Sequence, residues 1–231
     1  MPYYYTYFDP TYILVVVGIL ISMIASANVN GSFRKYSRML NQRGIRAEQA
    51  AEMILKNAGI YDVRVERISG NLTDHYDPRS KILRLSDTVY GSSSVSAIGV
   101  AAHECGHAIQ HAKGYVPLTI RGAIVPVVNF ASRLSMPLIL IGLIIGYTQL
   151  AHIGILLFSL VLVFQLVTLP VEFNASRRAL YILEDSSILL NNENTAARRV
   201  LRAAALTYVA SALATALQLF RLVLLVNRRR D

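Results

Sequence analysis

Val100-Ala101-Ala102-His103-Glu104-Cys105-Gly106-His107-Ala108-Ile109-Gln110-His111 is the stretch on which the reading of this chain turns. It contains His-Glu-x-x-His. Residues four apart on an α-helix share a face, so His103 and His107 can hold one metal ion together. Glu104, one residue on from His103, can lean over that ion and take a proton from a water that the metal activates. Two imidazoles and a carboxylate base make the arrangement of zinc hydrolases.

Outward from the motif, Ser92, Ser93 and Ser94 offer an N-cap and Gly114 a stop, which predicts a helix over about 95–112. Upstream, residues 63–68 alternate like a short strand. Residues 72–76 and 81–85 read as two more, joined by the turn Asp77-Pro78-Arg79-Ser80. Before them, 46–57 reads as an amphipathic helix with Ala50, Met53, Ile54 and Asn57 at helical spacing, stopped by Gly59. The motif helix therefore closes a small α+β element.

That element sits in a chain of 231 residues that is 54% hydrophobic, with mean hydropathy +0.42. This is too apolar for an ordinary soluble domain and points to an integral membrane protein. The formal net charge of +9 then belongs in cytoplasmic flanks facing anionic lipid, and not in a nucleic-acid site. A single cysteine excludes an internal disulfide.

The chain opens on an aromatic belt of Tyr3, Tyr4, Tyr5, Tyr7 and Phe8, followed by an apolar run over about 12–29. No basic residue precedes this run, so it reads as an uncleaved first span and not as a signal peptide. Arg34, Lys35, Arg38, Arg43 and Arg46 follow and place that end in the cytoplasm, with Met1 outside. Beyond the motif, 116–133 is broken by Pro117, Arg121, Pro126 and Arg133 and reads as a juxtamembrane piece. Residues 134–150 and 155–171 are each long enough to span. A turn at Ala151-His152-Ile153-Gly154 would join them into a transmembrane hairpin.

Catalytic zinc takes three protein ligands and keeps one position open. A hairpin returns the chain to the side it left. There, just after Pro170, stands Glu172, followed by Phe173-Asn174-Ala175-Ser176-Arg177-Arg178 and a further helix. Glu172 completes a two-histidine, one-glutamate site. His111 is not a ligand on this reading: a third histidine six residues after His107 would be needed, and Lys113 stands there.

Glu172-Phe173-Asn174-Ala175-Ser176 resembles the Glu-x-x-Ala-Asp element of gluzincin membrane proteases of the HtpX and CaaX-prenyl-protease kind. The run from Asn71 through Pro78, the motif, and Pro170-Val171-Glu172-Phe173-Asn174-Ala175-Ser176 are more similar to the YugP-like putative neutral zinc metallopeptidase family of bacterial membranes. The resemblance covers nearly the whole chain. It implies zinc, with His103, His107 and Glu172 as ligands and Glu104 as base. The chain departs from the broader group at Ser176, where an Asp often orients a zinc histidine; a hydroxyl can accept that bond without adding charge. In related enzymes the strand before the catalytic helix pairs with extended substrate, a role open to 72–76 or 81–85.

The sequence therefore predicts a mainly α integral membrane protein with a small cytoplasmic α+β gluzincin-like catalytic element, all in one domain over 1–231. Its spans are about 12–29, 134–150 and 155–171. A fourth over 203–226 is favoured over an interfacial placement, with a polar stripe of Thr207, Ser211, Thr215, Gln218 and Arg221 facing the bundle; Asn194 or Thr195 would cap that helix. The catalytic region covers about 34–115 and 172–200. The expected activity is zinc-dependent peptide hydrolysis at the cytoplasmic surface of a bacterial inner membrane. It uses one Zn2+ per chain, acts on peptides or membrane proteins, and involves no nucleic acid. The same ligand set could also hold a different divalent metal, since ligand type alone does not fix the metal. A membrane adaptor with a non-catalytic zinc is the alternative, against which an intact Glu104 argues. A site-2-type intramembrane protease would want a later Asp ligand in a second span, and the hairpin has none. Cys105 is expected to be a small packed residue, and His75 and Tyr181 to be structural.

Overall fold

The computed structural model describes residues 9–228; the aromatic residues before Asp9 and the terminal Arg229 and Arg230 lie outside it. In chain order the elements are α1 (Tyr12–Tyr36), α2 (Ala47–Asn57), β1 (Arg64–Ile68), β2 (His75–Asp77), β3 (Ile82–Ser86), α3 (Val95–Ala112), α4 (Val116–Ile144), α5 (Thr148–Asp185) and α6 (Asn191–Asn227). Four of them, α1, α4, α5 and α6, are long and apolar enough to cross a membrane. Large side chains on these helices, among them Ile24, Phe130, Ile144 and Leu156, are exposed. So much apolar surface on four helices suits lipid as the surrounding solvent.

The chain forms two compact units. The first comprises the residues up to Ile24, Ile124–Leu166, and those from Val209 on. Here the hairpin turn differs from expectation. It lies at Ile145-Gly146-Tyr147, where Gly146 takes a positive φ of 72°, and not at 151–154. His152 is already inside α5, its Nδ1 2.7 Å from the Thr148 carbonyl. Gly154, read as a turn residue, is a packing residue: a Cβ there would stand 2.7 Å from the Ser135 carbonyl oxygen of α4. Part of the polar stripe on α6 is used within this unit. Ser211 accepts from Gln165 at 3.1 Å, and Arg221 pairs with Asp9 at 3.9 Å and lies 4.2 Å over the Tyr12 ring.

The second unit comprises Ala25–Ala123 and Val167–Tyr208. Its core joins α2, the sheet, α3 and the facing parts of α5 and α6, through Ile54, Leu83, Leu85, Ile98, Leu183 and Leu201. On α2 the buried positions are Ala47, Ala50, Ala51, Ile54 and Leu55, so the inner face is set by alanines; Met53 is exposed. The sheet order is β1-β3-β2, with β3 central, parallel to β1 and antiparallel to β2. The expected second strand shrinks to three residues. Leu72 has a positive φ of 54°, and the Asp74 carboxylate takes the Ser86 amide at 2.8 Å and the Ser86 hydroxyl at 2.9 Å in place of a backbone ladder. The α3 helix has the expected ends, with Ser94 accepting from the Ala97 amide at 3.3 Å as its N-cap.

Three breaks expected from sequence are absent. Pro126 and Pro137 lie inside α4, so 116–133 is no separate piece but the first part of one helix that runs to Ile144. Pro170 lies inside α5, which carries straight through Glu172 to Asp185. Proline interrupts a helix in water, but apolar helices packed on neighbours tolerate it. Asn194 and Thr195 are likewise inside α6. That helix starts at Asn191, where the buried Glu193 carboxylate accepts the amides of Leu190 and Gln42, each at 2.8 Å.

Candidate metal centre

Small residues bring the site together. Gly106 of α3 faces α5 so closely that a Cβ there would lie 2.6 Å from the Ala175 carbonyl oxygen. This near backbone contact sets the two histidines of α3 against Glu172 of α5. His103 Nε2 is 3.2 Å and His107 Nε2 3.6 Å from the same carboxylate oxygen, Oε2 of Glu172. The two imidazoles stand edge to face, with ring centroids 4.8 Å apart. One ligand atom from each residue lies within 4.8 Å of the others, so these three side chains could hold a metal ion. Glu172 is buried and both histidines are largely so.

The other ring nitrogens decide whether the Nε2 lone pairs are free. His103 Nδ1 is 3.1 Å from Ser176 Oγ, and His107 Nδ1 is 3.0 Å from Gln110 Oε1. An amide oxygen can only accept, so His107 carries its proton on Nδ1 when neutral and offers Nε2 to the centre. The hydroxyl of Ser176 can do the same for His103, the role expected for it. Gln110 is fully buried, and its amide nitrogen donates to the Val171 carbonyl at 2.8 Å and to Asn174 Oδ1 at 3.0 Å. Arg178 donates to the same Asn174 oxygen at 2.7 Å. Gln110 was passed over in the sequence; its place three residues after His107, on the same helix face, was the available signal.

Charge is concentrated around this cluster. Arg121 Nη1 is 3.4 Å from the second oxygen of Glu172, Oε1. Glu104 is buried, and its Oε2 accepts the Tyr76 amide of β2 at 3.0 Å. Burial works to lower the pKa of His107, but the hydrogen bond it donates to Glu172 and the charges of Glu104 and Glu172 outweigh it and raise it. Burial raises that of Asp74, and the Glu104 charge adds to this against the hydrogen bonds from Ser86. Two nitrogens and one carboxylate oxygen, with their outer partners in place, fit a borderline-soft divalent ion such as zinc.

The remaining candidates lie elsewhere. His111 is 2.9 Å from the Tyr76 hydroxyl and outside the cluster. Cys105 is buried, its Sγ 3.6 Å from the Ala51 carbonyl, and burial raises its pKa well above that of a free thiol. His75 is held between the Thr73 carbonyl at 2.9 Å and Arg84 at 3.3 Å. Tyr181 is 68% exposed and lines a separate cavity with Lys113 and Arg177. A cavity of about 200 Å³ opens on the cluster itself, lined by His103, Glu104, Glu172, Ser176, Asp74 and Tyr208 and by apolar side chains of α1, α3 and α6.

Residues 11–227 match a family described as "Putative neutral zinc metallopeptidase". The chain is 46% identical over 218 residues to "Putative membrane protease YugP" of Bacillus subtilis (strain 168), covering 94% of this chain and 97% of that protein. No solved structure matches the chain.

Proposed function

The chain belongs to the putative neutral zinc metallopeptidase family, and on that premise we propose that it hydrolyses peptide bonds at the cytoplasmic surface of a bacterial inner membrane, with Glu104 as general base. The observation that carries this reading is the convergence of His103 Nε2, His107 Nε2 and Glu172 Oε2. These three residues would hold one zinc ion per chain, which when bound supplies Lewis acidity and an activated water. The catalytic element is gluzincin-like in its use of a helix for the two histidines and a later helix for the glutamate.

The chain's own groups have distinct tasks. Glu104 takes a proton from the attacking water and returns it to the leaving amine as the C–N bond breaks, leaving a carboxylate and an amine. The Tyr76 amide holds one oxygen of Glu104 in place beforehand. Ser176 and Gln110 fix the imidazoles, and Arg121 takes the spare oxygen of Glu172. Of the two strands considered for substrate pairing, β3 is central and so already paired on both sides; only β2 is an edge. The basic residues Arg34, Lys35, Arg38, Arg177 and Arg178 support a cytoplasmic site. Glu172 lies just beyond the expected 155–171 span and on the same helix, which favours membrane proteins or membrane-near peptides as substrates.

The test is metal content and proteolysis on detergent-purified protein, comparing wild type with Glu104→Gln and Glu172→Ala. One zinc per chain is expected in wild type and Glu104→Gln and is lost or weakened in Glu172→Ala. Only wild type should cut a membrane-tethered reporter. Undiminished zinc binding by Glu172→Ala would remove Glu172 from the ligand set. Equal cleavage by wild type and Glu104→Gln would remove Glu104 as base.

A further inference from the structure

We infer that Tyr208 is the hydrogen-bond donor to the scissile carbonyl oxygen as that oxygen gains negative charge, an assignment that rests on the peptidase reading above. Hydrolysis of a peptide bond puts charge on that oxygen, and a donor already aimed at it is a large part of catalysis. The sequence points to no such residue.

The cavity beside the metal centre narrows the choice. Six of its lining residues are polar: Asp74, His103, Glu104, Glu172, Ser176 and Tyr208. Five are committed. His103 and Glu172 are the ligand candidates, and Glu104 is the base. Ser176 is engaged with His103 Nδ1. Asp74 spends its oxygens on the Ser86 amide and hydroxyl. Tyr208 is neither ligand candidate, base nor partner of a ligand histidine. Its hydroxyl is engaged with the Glu172 carboxylate, an acceptor it can exchange, and it feels the charge of Glu104 in the same cavity. Tyr208 as a residue is 37% exposed and also lines the cavity, so it joins an accessible face of α6 to the site. Arg121 also touches Glu172 but does not line the cavity, which leaves it to hold the carboxylate.

A phenol suits the task. It donates one hydrogen bond, stays neutral at physiological pH and has few rotamers to fix. When substrate enters, the hydroxyl exchanges one acceptor, Glu172, for another, the carbonyl oxygen. No bond is broken and no proton is transferred. The neighbouring cavity wall from α6, Val200, Leu201, Ala204 and Ala205, is apolar, so the donor works where water competes little.

The experiment uses full-length zinc-loaded protein in detergent, as wild type, Tyr208→Phe and Glu104→Gln. For Tyr208→Phe, zinc content, melting temperature and KM should match wild type while kcat falls about 10²–10³-fold. A phosphonamidate peptide, whose charged tetrahedral group imitates the reacting carbonyl, should bind Tyr208→Phe more weakly by a comparable factor. A merely structural tyrosine would change melting temperature or zinc content and would not make analogue affinity track kcat. An active wild type whose Tyr208→Phe variant keeps kcat and analogue affinity overturns this assignment alone. Wild type as inert as Glu104→Gln overturns the peptidase reading and this assignment with it.

Discussion

Gly106→Ala separates local propensity from tertiary fit. In an isolated helix this change stabilises by about 1 kcal/mol. In this fold the new methyl would stand 2.6 Å from the Ala175 carbonyl oxygen and 3.1 Å from two further backbone atoms of α5, whereas ordinary contact begins at 3.4 Å. The obstacle is helix backbone and not a movable side chain, so α3 and α5 must part by about 0.8 Å to restore that contact distance. Metal–ligand distances tolerate only about 0.2 Å. The helices can part in the metal-free protein, but zinc binding must bring them back. The overpacking strain of about 1–3 kcal/mol then shows as a loss of zinc affinity of roughly 5–150-fold. Competition titration against a chromogenic chelator on the detergent-purified protein measures this directly. Wild-type zinc affinity in Gly106→Ala, together with a higher melting temperature, would refute the reasoning.

Three further outcomes rest on single observations. Gln110→Leu keeps volume but removes both the partner of His107 Nδ1 and the donor to the Val171 carbonyl; zinc affinity should fall about 10–100-fold, read by the same titration. The Asp77 carboxylate is held at a pKa of about 2 by the Ser80 hydroxyl first and then by the Arg79 amide, below its ordinary 3.8. Its contribution to stability is therefore full above that ordinary value and lost as pH falls through about 2, so wild type and Asp77→Asn should differ at neutral pH and converge in acid, followed by amide exchange in β2 and β3. The Cys105 thiol is buried with a raised pKa, so it should resist alkylation in the folded protein and react on unfolding; rapid labelling under native conditions would show that α2 and α3 part readily.

The legible parts of the chain were those set by short spacing. The motif helix and its serine cap depend on neighbouring residues, and α3 has the expected ends. The strands were legible as strands, but not the parallel pairing of β1 with β3, which depends on a crossover and leaves no local trace. The hairpin turn was misplaced because hydropathy varies little across residues 134–171; Gly146 was the true signal, while Gly154 serves helix contact. Pro126 and Pro170 were read by rules suited to helices in water. Gln110 has one local sign, its place three residues after His107, but the partners that fix its role, like that of Tyr208, are distant in sequence. Their partners are 61 residues away at Val171 for Gln110, and at Glu172 for Tyr208.

Misplacing the turn by several residues left Glu172 standing as the third ligand candidate, and Gln110 explains why. A turn fixes only which side of a membrane the chain returns to. It does not set which residue of α5 faces His103 and His107, and a slip of one residue would rotate a helix by about 100°. That register is set on α3. Gln110 accepts from His107 on its own helix and donates to the Val171 carbonyl and Asn174 on α5, the residues either side of Glu172 and its neighbour Phe173. One buried side chain thus ties the protonation of a candidate ligand histidine on one helix to the placement of the candidate ligand carboxylate on the other. Gly106 brings the helices to the distance at which that tie can form. The candidate site is therefore specified by α3 against α5, through Gly106 and Gln110.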